Sequence, residues 1–391
     1  MTKPTAPAVS VIIPVYEPGE FLDRCLQALT RSNFKDYECI VVDDGSSIPV
    51  DADNLLQYSA TLIRLEHRSG PAKARNVGAG SANGAILFFI DVDVEVHPDA
   101  LGTAVSSMQA NTDISAVFGS YDESPDRPEF ISRYRNLYHH WVHQNGNENA
   151  STFWSGLGAI RRDIFQELNG FDITFRHPSI EDIELGYRLK SAGGHISLLK
   201  NMRGKHLKHW TFSSILQTDL LKRGVPWVQL LLATSTTSTD LNLNWKSRFA
   251  TICAALLVIS IAGILLIEPL YMLPYFVFLL ACVASRFLEE AGSASWKSLL
   301  SILLVICLPT AVFREIAGLP ALLPLFLTLA IVGAQLDFYR LVTRLHGIGF
   351  AFAVIPMQIL FFLLCALSVP LGIIKYQWAK MHRSSEQSGS G

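Results

Sequence analysis

Residues 85–93, with the sequence AILFFIDVD, decide the fold predicted for the first half of this chain. Six apolar residues in succession predict a strand that is buried on both faces, as in the middle of a parallel sheet. Two carboxylates, Asp91 and Asp93, follow this run directly. Because a strand alternates the faces of its side chains, both carboxylates are expected to project to the same side at its carboxyl end.

Strand and helix signals alternate in the sequence before this run. Apolar runs predict strands, and segments with apolar residues at helical spacing predict helices between them. These segments are, in chain order, Ser10–Val15, Gly19–Thr30, Tyr37–Val42, Thr61–Leu65 and Pro71–Ala82. The alternation predicts an α/β fold with a mostly parallel sheet flanked by helices, in which ligands bind at the carboxyl ends of the strands.

The charged residues are distributed unevenly along the 391 residues. Residues 1–248 contain 24 of the 32 Lys and Arg and 28 of the 34 Asp and Glu. The remaining residues contain five apolar segments: Phe249–Ile267, Leu270–Ser285, Ser298–Phe313, Leu319–Leu336 and Gly349–Ile374. Since about 20 apolar residues cross a bilayer, we expect four or five transmembrane helices.

The predicted organisation has four parts. Residues 1–210 form the α/β domain, and residues 211–248 form a linker with amphipathic interfacial helices. Residues 249–375 form an all-α transmembrane region, and residues 376–391 form a disordered tail. The N-terminus lacks the apolar core of a signal peptide, so we expect a multi-pass inner-membrane protein whose first domain is cytosolic.

Composition argues against several other classes of protein. The net charge of −2 gives no sign of a nucleic-acid partner. The six cysteines are scattered without a CxxC pair, so neither disulfides nor a zinc site is indicated.

Asp91 and Asp93 are the first candidate site residues. Two carboxylates at one strand end repel each other unless a cation lies beside them, and Mg²⁺ or Mn²⁺ would take further ligands from a diphosphate and water. The alternative is a polar strand end without function.

Two other segments are candidates for holding a nucleotide. Asp44, in the sequence VVDDGS at the end of the second strand, could accept a hydrogen bond from a nucleobase, although Asp-Gly is also a plain turn signature. Lys73 and Arg75 lie in a helix that starts near the same sheet edge, where phosphate is attracted. For one of these two side chains a solvated helix face is the better interpretation.

The sequence Ser179-Ile180-Glu181-Asp182 opens a predicted amphipathic helix. Sugar transfer with inversion needs a carboxylate that removes the proton of the acceptor, and Asp182 or Glu181 could do this. Ser179 followed three residues later by Asp182 equally resembles a capping box.

Basic and aromatic residues precede the apolar region. Lys205, His206, Lys208, His209 and Lys222 could face anionic headgroups or a diphosphate. Arg223 could contact a diphosphate and Trp227 could stack on a sugar, but a snorkelling arginine and an interfacial tryptophan are the alternative.

Taken in order, these motifs resemble those of the family 2 glycosyltransferases of the GT-A fold. The motifs are VIIPVY at 11–16, VVDDGS at 41–46, GPAKARNVG at 70–78, IDVD at 90–93, GFD at 170–172 and the pair 181–182. The resemblance covers about residues 9–230. It implies a UDP- or GDP-sugar donor, a divalent cation and inversion at the anomeric carbon.

The resemblance also implies roles for single residues. The residues that would hold the nucleoside are Pro14, Tyr16, Glu17, Asp44 and Arg75. Asp91 and Asp93 would hold diphosphate and metal, with Asp93 as the direct ligand, and Asp182 would be the base. The Gln-x-x-Arg-Trp motif of processive synthases is incomplete here, because the matching place reads Arg223-Gly224-Val225-Pro226-Trp227.

The expected function is therefore a metal-dependent hexosyltransferase that acts at a membrane of the cell envelope. It would move a sugar from a nucleoside-diphosphate-sugar to a lipid-linked or membrane-proximal glycan acceptor, in contact with membrane lipids. The alternatives are a processive polysaccharide synthase and a non-catalytic membrane protein that binds nucleotide-sugar.

Overall fold

The computed structural model describes residues 6–234, 240–267, 269–290 and 322–388, together with Ser301 and Val305. Contacts divide the chain into two units, Met1–Ile215 and Leu216–Gly391. The predicted third apolar segment, 298–313, lies outside the described residues apart from Ser301 and Val305.

The described part of the first unit contains a nine-stranded sheet. Its strands are β1 (Val9–Val15), β2 (Tyr37–Asp43), β3 (Ala60–Arg64), β4 (Ile86–Ile90), β5 (Val94–Val96), β6 (Ile114–Tyr121), β7 (Asn149–Ala150), β8 (Leu157–Arg161) and β9 (His195–His206). Its helices are α1 (Phe21–Thr30), α2 (Ala52–Leu56), α3 (Pro71–Gly80), α4 (Ala100–Ala110), α5 (Phe130–Gln144), α6 (Arg162–Glu167) and α7 (Glu181–Ser191).

The strand order is β3-β2-β1-β4-β8-β6-β9-β5, with β7 paired to β9. The first four strands are parallel, and Val9 of β1 is in register with both Tyr37 and Ile86. This half confirms the predicted α/β sheet flanked by helices. Beyond β4 the sheet is mixed, because β8 is antiparallel to both β4 and β6.

Both faces of the parallel half are covered by apolar side chains. One core contains Val11, Ile13 and Phe88, and the other contains Ile12 and Phe89. Adjacent residues of one strand therefore enter opposite cores, which explains why the strands are continuous apolar runs.

Two features of the second half of the sheet were not predicted correctly. β6 is a buried strand that the sequence analysis did not predict. β9 continues to His206, whereas the apolar residues of His195–Leu199 predict only a short strand there. Polar residues such as Lys200 and Asn201 interrupt the apolar pattern of β9. Pairing with β5 and β6 stabilises this part of the strand, and such pairing is not visible in local sequence.

In the described part of the second unit, every element is helical. The elements are a π-helical segment Gln217–Gly224 that continues α8 (Phe212–Leu216), then α9 (Val225–Thr234), two 3₁₀ turns (Leu241–Leu243 and Pro269–Met272), α10 (Trp245–Ile267), α11 (Leu273–Glu290), α12 (Leu322–Ala334) and α13 (Leu336–Ser388). α13 is broken at Gly347, where φ is +83°. Residues 212–234, which lie within the predicted interfacial helices of residues 211–248, thus form one continuous helical run.

Within the described residues, three helices are long and apolar enough to cross a membrane: Trp245–Ile267, Pro269–Arg286 and Leu336–His382. α12 is apolar but has only 13 residues. The expectation of four or five spans stays a prediction.

The last helix contradicts one expectation. Residues 376–388 belong to α13, whereas the sequence analysis assigned residues 376–391 to a disordered tail. Lys, Gln, Ala, Met and Arg in this stretch are good helix formers, so the helix continues beyond the apolar segment.

Candidate active site

The two aspartates after β4 lie in a turn and not in the strand. β4 ends at Ile90, and the Val94 amide donates to the Asp91 carbonyl at 3.0 Å. The predicted alternation of faces therefore does not apply to Asp91 and Asp93. Each carboxylate has its own partner, Arg75 for Asp91 and His206 for Asp93.

Arg75 joins two carboxylates from distant parts of the chain. Its Nη2 lies 2.7 Å from Asp91 Oδ1, and its Nη1 lies 3.0 Å from Glu181 Oε1. Both Arg75 and Glu181 are buried. Burial alone would lower the pKa of Arg75, but Asp91, Glu181 and Asp182 outweigh this effect and the pKa is raised. Arg75 thus lies on the buried face of α3, whereas Lys73 on the same helix is exposed.

A second connection runs through the segment before β8. The Asp91 amide donates to the Gly156 carbonyl at 3.1 Å. The neighbouring Ser155 donates to Asp182 Oδ2 from its amide at 3.1 Å and from its hydroxyl at 3.4 Å. Asp91 and the 181–182 pair are thus connected by two independent routes.

The start of α7 distinguishes the two carboxylates that could act as the base. Glu181 is buried, and its Oε2 accepts the Ser179 amide at 2.9 Å while its Oε1 accepts from Arg75. Asp182 is only partly buried. The predicted capping box is absent, since Ile180 is the N-cap residue and no side chain caps the helix. Asp182 instead accepts the Ile183 amide at 2.8 Å.

His206 is the partner of Asp93, with 3.5 Å between His206 Nε2 and Asp93 Oδ2. The indole of Trp210 can only donate, so its 3.1 Å contact makes Asn136 Oδ1 an acceptor. The 2.7 Å contact between the same oxygen and His206 Nδ1 then requires the imidazole hydrogen at Nδ1. Tyr121 stacks on the imidazole at 4.1 Å and holds its plane.

Sequence analysis missed this pairing because the cross-strand partner of His206 was unknown. β5 and β9 are antiparallel, with Val94 opposite His206, so the imidazole lies next to Asp93. Burial raises the pKa of the Asp93 carboxyl, but His206 and Lys208 outweigh it, and the pKa is lowered from its ordinary value.

A divalent cation fits this pair of residues. Among the described residues there is no group of three or more His, Cys, Asp or Glu side chains arranged to hold a metal. Asp93 and His206, however, supply one oxygen and one nitrogen whose 3.5 Å separation lets both contact one cation at about 2.1 Å. The fixed Nδ1 hydrogen leaves Nε2 as the ligand atom, as in many metal sites.

The predicted nucleoside residues lie at the carboxyl ends of β1 and β2. Pro14 is buried within β1, and Tyr16 is 39% exposed just after it. Asp44 is buried, and its two oxygens accept the Ser69 and Gly70 amides at 2.7 and 2.8 Å. Asp44 therefore anchors the loop between β3 and α3.

Glu17 is held by the turn after β2. Its carboxylate accepts the Ser47 amide at 2.7 Å, and its own amide donates to the Ser46 hydroxyl at 3.0 Å. The bond from Ser47 is the main reason why the pKa of Glu17 is lowered. The ends of β1 and β2 thus form one connected edge.

Arg223 and Trp227 lie in the second unit. Both are partly buried, Arg223 in the π-helical segment and Trp227 in α9. Their predicted contacts with a diphosphate and a sugar stay predictions.

Two family models match the first unit. Residues 10–168 match the model described as glycosyl transferase family 2, and residues 127–210 match the model described as the N-terminal domain of galactosyltransferase. Residues 10–168 of this chain are thus similar to glycosyltransferase family 2. The matched residues include β1 to β8 with Asp91, Asp93 and Arg75, and they confirm the resemblance inferred from the motifs.

Several glycosyltransferases are similar to parts of this chain. An uncharacterized glycosyltransferase of Haemophilus influenzae is 26% identical over 194 residues, which cover 46% of this chain and 61% of the relative. Glycosyltransferase AglE of Haloferax volcanii is 36% identical over 30% of this chain and 40% of its own length. The GalNAc(5)-diNAcBac-PP-undecaprenol beta-1,3-glucosyltransferase of Campylobacter jejuni is 30% identical over 29% of this chain and 38% of its own length. The chain thus spans less than two thirds of the length of these relatives.

Two solved structures were also compared. The crystal structure of GalNAc-T7 with UDP, GalNAc and Mn²⁺ aligns with a TM-score of 0.44 and 18% identity, over 59% of this chain and 48% of that one. The mannosyltransferase PcManGT from Pyrobaculum calidifontis, in complex with GDP-Man and Mn²⁺, aligns with a TM-score of 0.43 and 16% identity, over 91% of this chain and 87% of that one.

Proposed function

We propose that this protein transfers a sugar from a nucleoside-diphosphate-sugar to a lipid-linked or membrane-proximal acceptor, with inversion at the anomeric carbon. The observation that carries the proposal is the double connection between Asp91 and the 181–182 pair. It holds a partly exposed carboxylate, Asp182, at a fixed place relative to the carboxylates that follow β4. Such an arrangement suits a base that acts beside a bound diphosphate.

In this proposal Asp182 accepts the proton of the acceptor hydroxyl. The hydroxyl oxygen then forms its bond to the anomeric carbon while the bond from that carbon to the diphosphate oxygen breaks. The two hydrogen bonds from Ser155 and the one from the Ile183 amide orient the carboxylate. A divalent cation, Mg²⁺ or Mn²⁺, held by Asp93 and His206 would offset the negative charge of the departing diphosphate.

Asp91 and Arg75 have a supporting role. The Asp91 side chain is 35% exposed even though Arg75 binds one of its oxygens. The other oxygen of Asp91 is therefore available for the cation or for a ligand hydroxyl. Tyr16, Glu17 and Asp44 lie on the strands next to β4, where the nucleoside would bind.

Two further observations support the proposed lipid-linked acceptor and the proposed membrane location. Within the described residues, three helices are long and apolar enough to cross a membrane. The name of the Campylobacter jejuni relative describes a substrate that is linked to undecaprenol through a diphosphate. We infer a multi-pass protein of the inner membrane, with the family 2 domain in the cytosol where nucleotide-sugars are made.

The test uses full-length protein purified in detergent. A thermal-shift panel of UDP-, GDP- and CDP-sugars with Mn²⁺ identifies the donor, because a ligand that binds the folded state stabilises it. Transfer to a polyprenyl-phosphate-linked sugar is then measured. Asp182→Asn should lower turnover at least 100-fold while the donor still raises the melting temperature.

Asp163→Asn is the matched control. Asp163 also lies in the first turn of a helix and accepts the amide of the next residue at 2.9 Å, but its helix is α6 and not α7. Its turnover should stay at the wild-type level. Near-normal turnover of Asp182→Asn would remove this residue from its role as base.

A further inference from the structure

An ion pair brings the starts of two helices of the second unit together. Lys246 lies in the first turn of α10, and its Nζ is 3.5 Å from Oδ2 of Asp337 in the first turn of α13. Arg340 contacts the other oxygen of the same carboxylate, with 3.0 Å between its Nη1 and Asp337 Oδ1. The two helix starts are distant in sequence and lie side by side in the structure.

The side chains of this cluster are exposed. The exposed fraction is 41% for Lys246, 51% for Asp337 and 70% for Arg340. Arg344, one turn after Arg340 on the same helix, is exposed as well. Because one carboxylate faces both Lys246 and Arg340, the two cations are not fully neutralised by it. The cluster therefore presents positive charge at the surface of the second unit.

The first segment of α13 is too short to cross a bilayer. It comprises residues 336–346, because the helix is broken at Gly347. At 1.5 Å per residue this segment is about 16 Å long, roughly half the thickness of the hydrocarbon core. Phe338 and Val342 are fully buried, whereas Arg340 and Arg344 are exposed. A short helix with one apolar and one cationic face is typical of a segment that lies along a membrane surface.

The start of α10 marks the same level of the membrane. Trp245, the residue before Lys246, is 71% exposed, and Phe249 and Ile252 further along α10 are exposed too. An exposed tryptophan at the end of an apolar helix is typical of the headgroup region, and the exposed apolar side chains beyond it are typical of contact with acyl chains. Lys246 thus lies where the hydrocarbon of a bilayer would end.

We propose that Lys246, Arg340 and Arg344 bind the headgroup phosphate of an anionic phospholipid. The phosphate oxygens would accept hydrogen bonds from the ammonium and guanidinium groups, and the acyl chains would contact Phe249 and Ile252. The excess of positive charge favours a lipid with a net negative charge over a zwitterionic lipid. This inference rests on the proposed function, because it assumes that α10 crosses a membrane.

The experiment measures the melting temperature of full-length, delipidated protein in a neutral detergent. Phosphatidylglycerol, phosphatidylcholine and inorganic phosphate are added in separate titrations. Phosphatidylglycerol should raise the melting temperature by about 3 °C or more, since a ligand of the folded state stabilises it. Phosphatidylcholine and inorganic phosphate should have much smaller effects. The rise with phosphatidylglycerol should shrink as the salt concentration increases, because salt screens exposed charges.

Variants assign the effect to the cluster. In the double variant Lys246→Gln/Arg340→Gln, the rise with phosphatidylglycerol should fall to about half or less of the wild-type value, because two of the cations are lost. Arg340→Lys keeps the charge and should keep most of the response. Lys380→Gln is the matched control, since Lys380 is an exposed lysine near the other end of α13. It should respond as wild type does.

Three results would overturn the inference. They are an equal rise with phosphatidylcholine, an equal rise with inorganic phosphate, and a full response to phosphatidylglycerol in the double variant. The first two are measured on wild type and do not require the variant to fold. Sugar transfer without any lipid effect would remove this inference alone, whereas recovery of the protein from cells without detergent would remove the proposed membrane location.

Discussion

The imidazole Nε2 of His206 faces Asp93 Oδ2 at 3.5 Å, although 113 residues separate the two in sequence. The hydrogen at Nδ1 is directed to Asn136, so the orientation of the ring is set before any ligand binds. The cation site proposed above would therefore consist of one side chain from β9 and one from the turn after β4, and this proposal can be tested directly.

His206→Ala should weaken Mn²⁺ binding in the presence of the nucleoside diphosphate by 10- to 100-fold or more. Asn136→Ala should weaken it by about 10-fold, since loss of an outer partner of a ligating histidine has effects of this order. Electron paramagnetic resonance of free Mn²⁺ gives the affinity. His195→Ala, at the other end of β9, is the control and should bind as wild type. Equal affinity in His206→Ala would exclude the imidazole from the cation site.

Arg75 should affect catalysis through position and not through nucleoside binding. Arg75→Lys keeps one charge but cannot bridge Asp91 and Glu181 as the guanidinium does, so turnover should fall at least tenfold. The Kd of the nucleoside diphosphate should change less than threefold. Turnover with the intact acceptor and calorimetric Kd separate the two effects. A large rise in Kd with normal turnover would support the direct nucleoside contact that the family resemblance implies for Arg75.

Glu181→Gln tests the same network through stability. The substitution removes the charge that faces the buried Arg75, and breaking buried ion pairs costs about 3–5 kcal/mol when the partner is left unpaired. Because Gln still accepts a hydrogen bond and Asp91 still pairs with Arg75, we expect a loss of about 2 kcal/mol. Thermal unfolding followed by circular dichroism measures it. Glu184→Gln, which breaks an i,i+4 pair with Arg188, is the control and should cost less.

The ion pair between Arg24 and Asp126 should make stability depend on pH. Hydrogen bonds from Arg24, at 2.6 and 3.1 Å, are the main reason why the pKa of Asp126 is lowered. The stability that this pair contributes is complete above the unfolded pKa of about 4, and it is lost as the pH falls through the lower folded value. Asp126→Asn should therefore cost about 1–2 kcal/mol at pH 7 and progressively less below pH 4.

Unfolding of wild type and of Asp126→Asn, measured between pH 3 and pH 7, shows in which direction their difference in stability changes with pH. Asp113→Asn, at an exposed turn that ends before β6, should shift stability little at any pH. A difference between wild type and Asp126→Asn that grows toward acid pH would contradict the assignment.

Close packing of α9 against α13 predicts a strong effect of a small substitution in the second unit. A Cβ at Gly372 would lie 2.6 Å from Cβ and Cγ1 of Val228. Gly372→Ala should therefore destabilise the protein by about 1–3 kcal/mol, as overpacking does. Gly263→Ala is the control, because no atom lies within 4 Å of a Cβ at that position in α10. Heating of each variant in detergent, followed by size-exclusion chromatography, compares their stability.

The local sequence was sufficient for the parallel half of the sheet and for the apolar character of the second unit. Continuous apolar runs such as Ile86–Ile90, with helical segments between them, predict strands of a parallel sheet, because both faces of such a strand are buried. The ordered motifs also gave the resemblance to the family 2 glycosyltransferases, which the match over residues 10–168 confirms. These features depend on residues that are neighbours along the chain.

The contacts within the site required the tertiary structure. Arg75 and Glu181 are separated by 106 residues, so neither the buried bridge nor the burial of Glu181 could be read from either segment. The strand alternation inferred for Asp91 and Asp93 was wrong, because β4 ends at Ile90 and both aspartates lie in the turn that follows it. Pairing of β9 with β5 carries His206 to Asp93, and this strand pairing has no local signature. Local periodicity reports which face of an element is apolar, whereas a site is made by side chains from elements that only folding brings together.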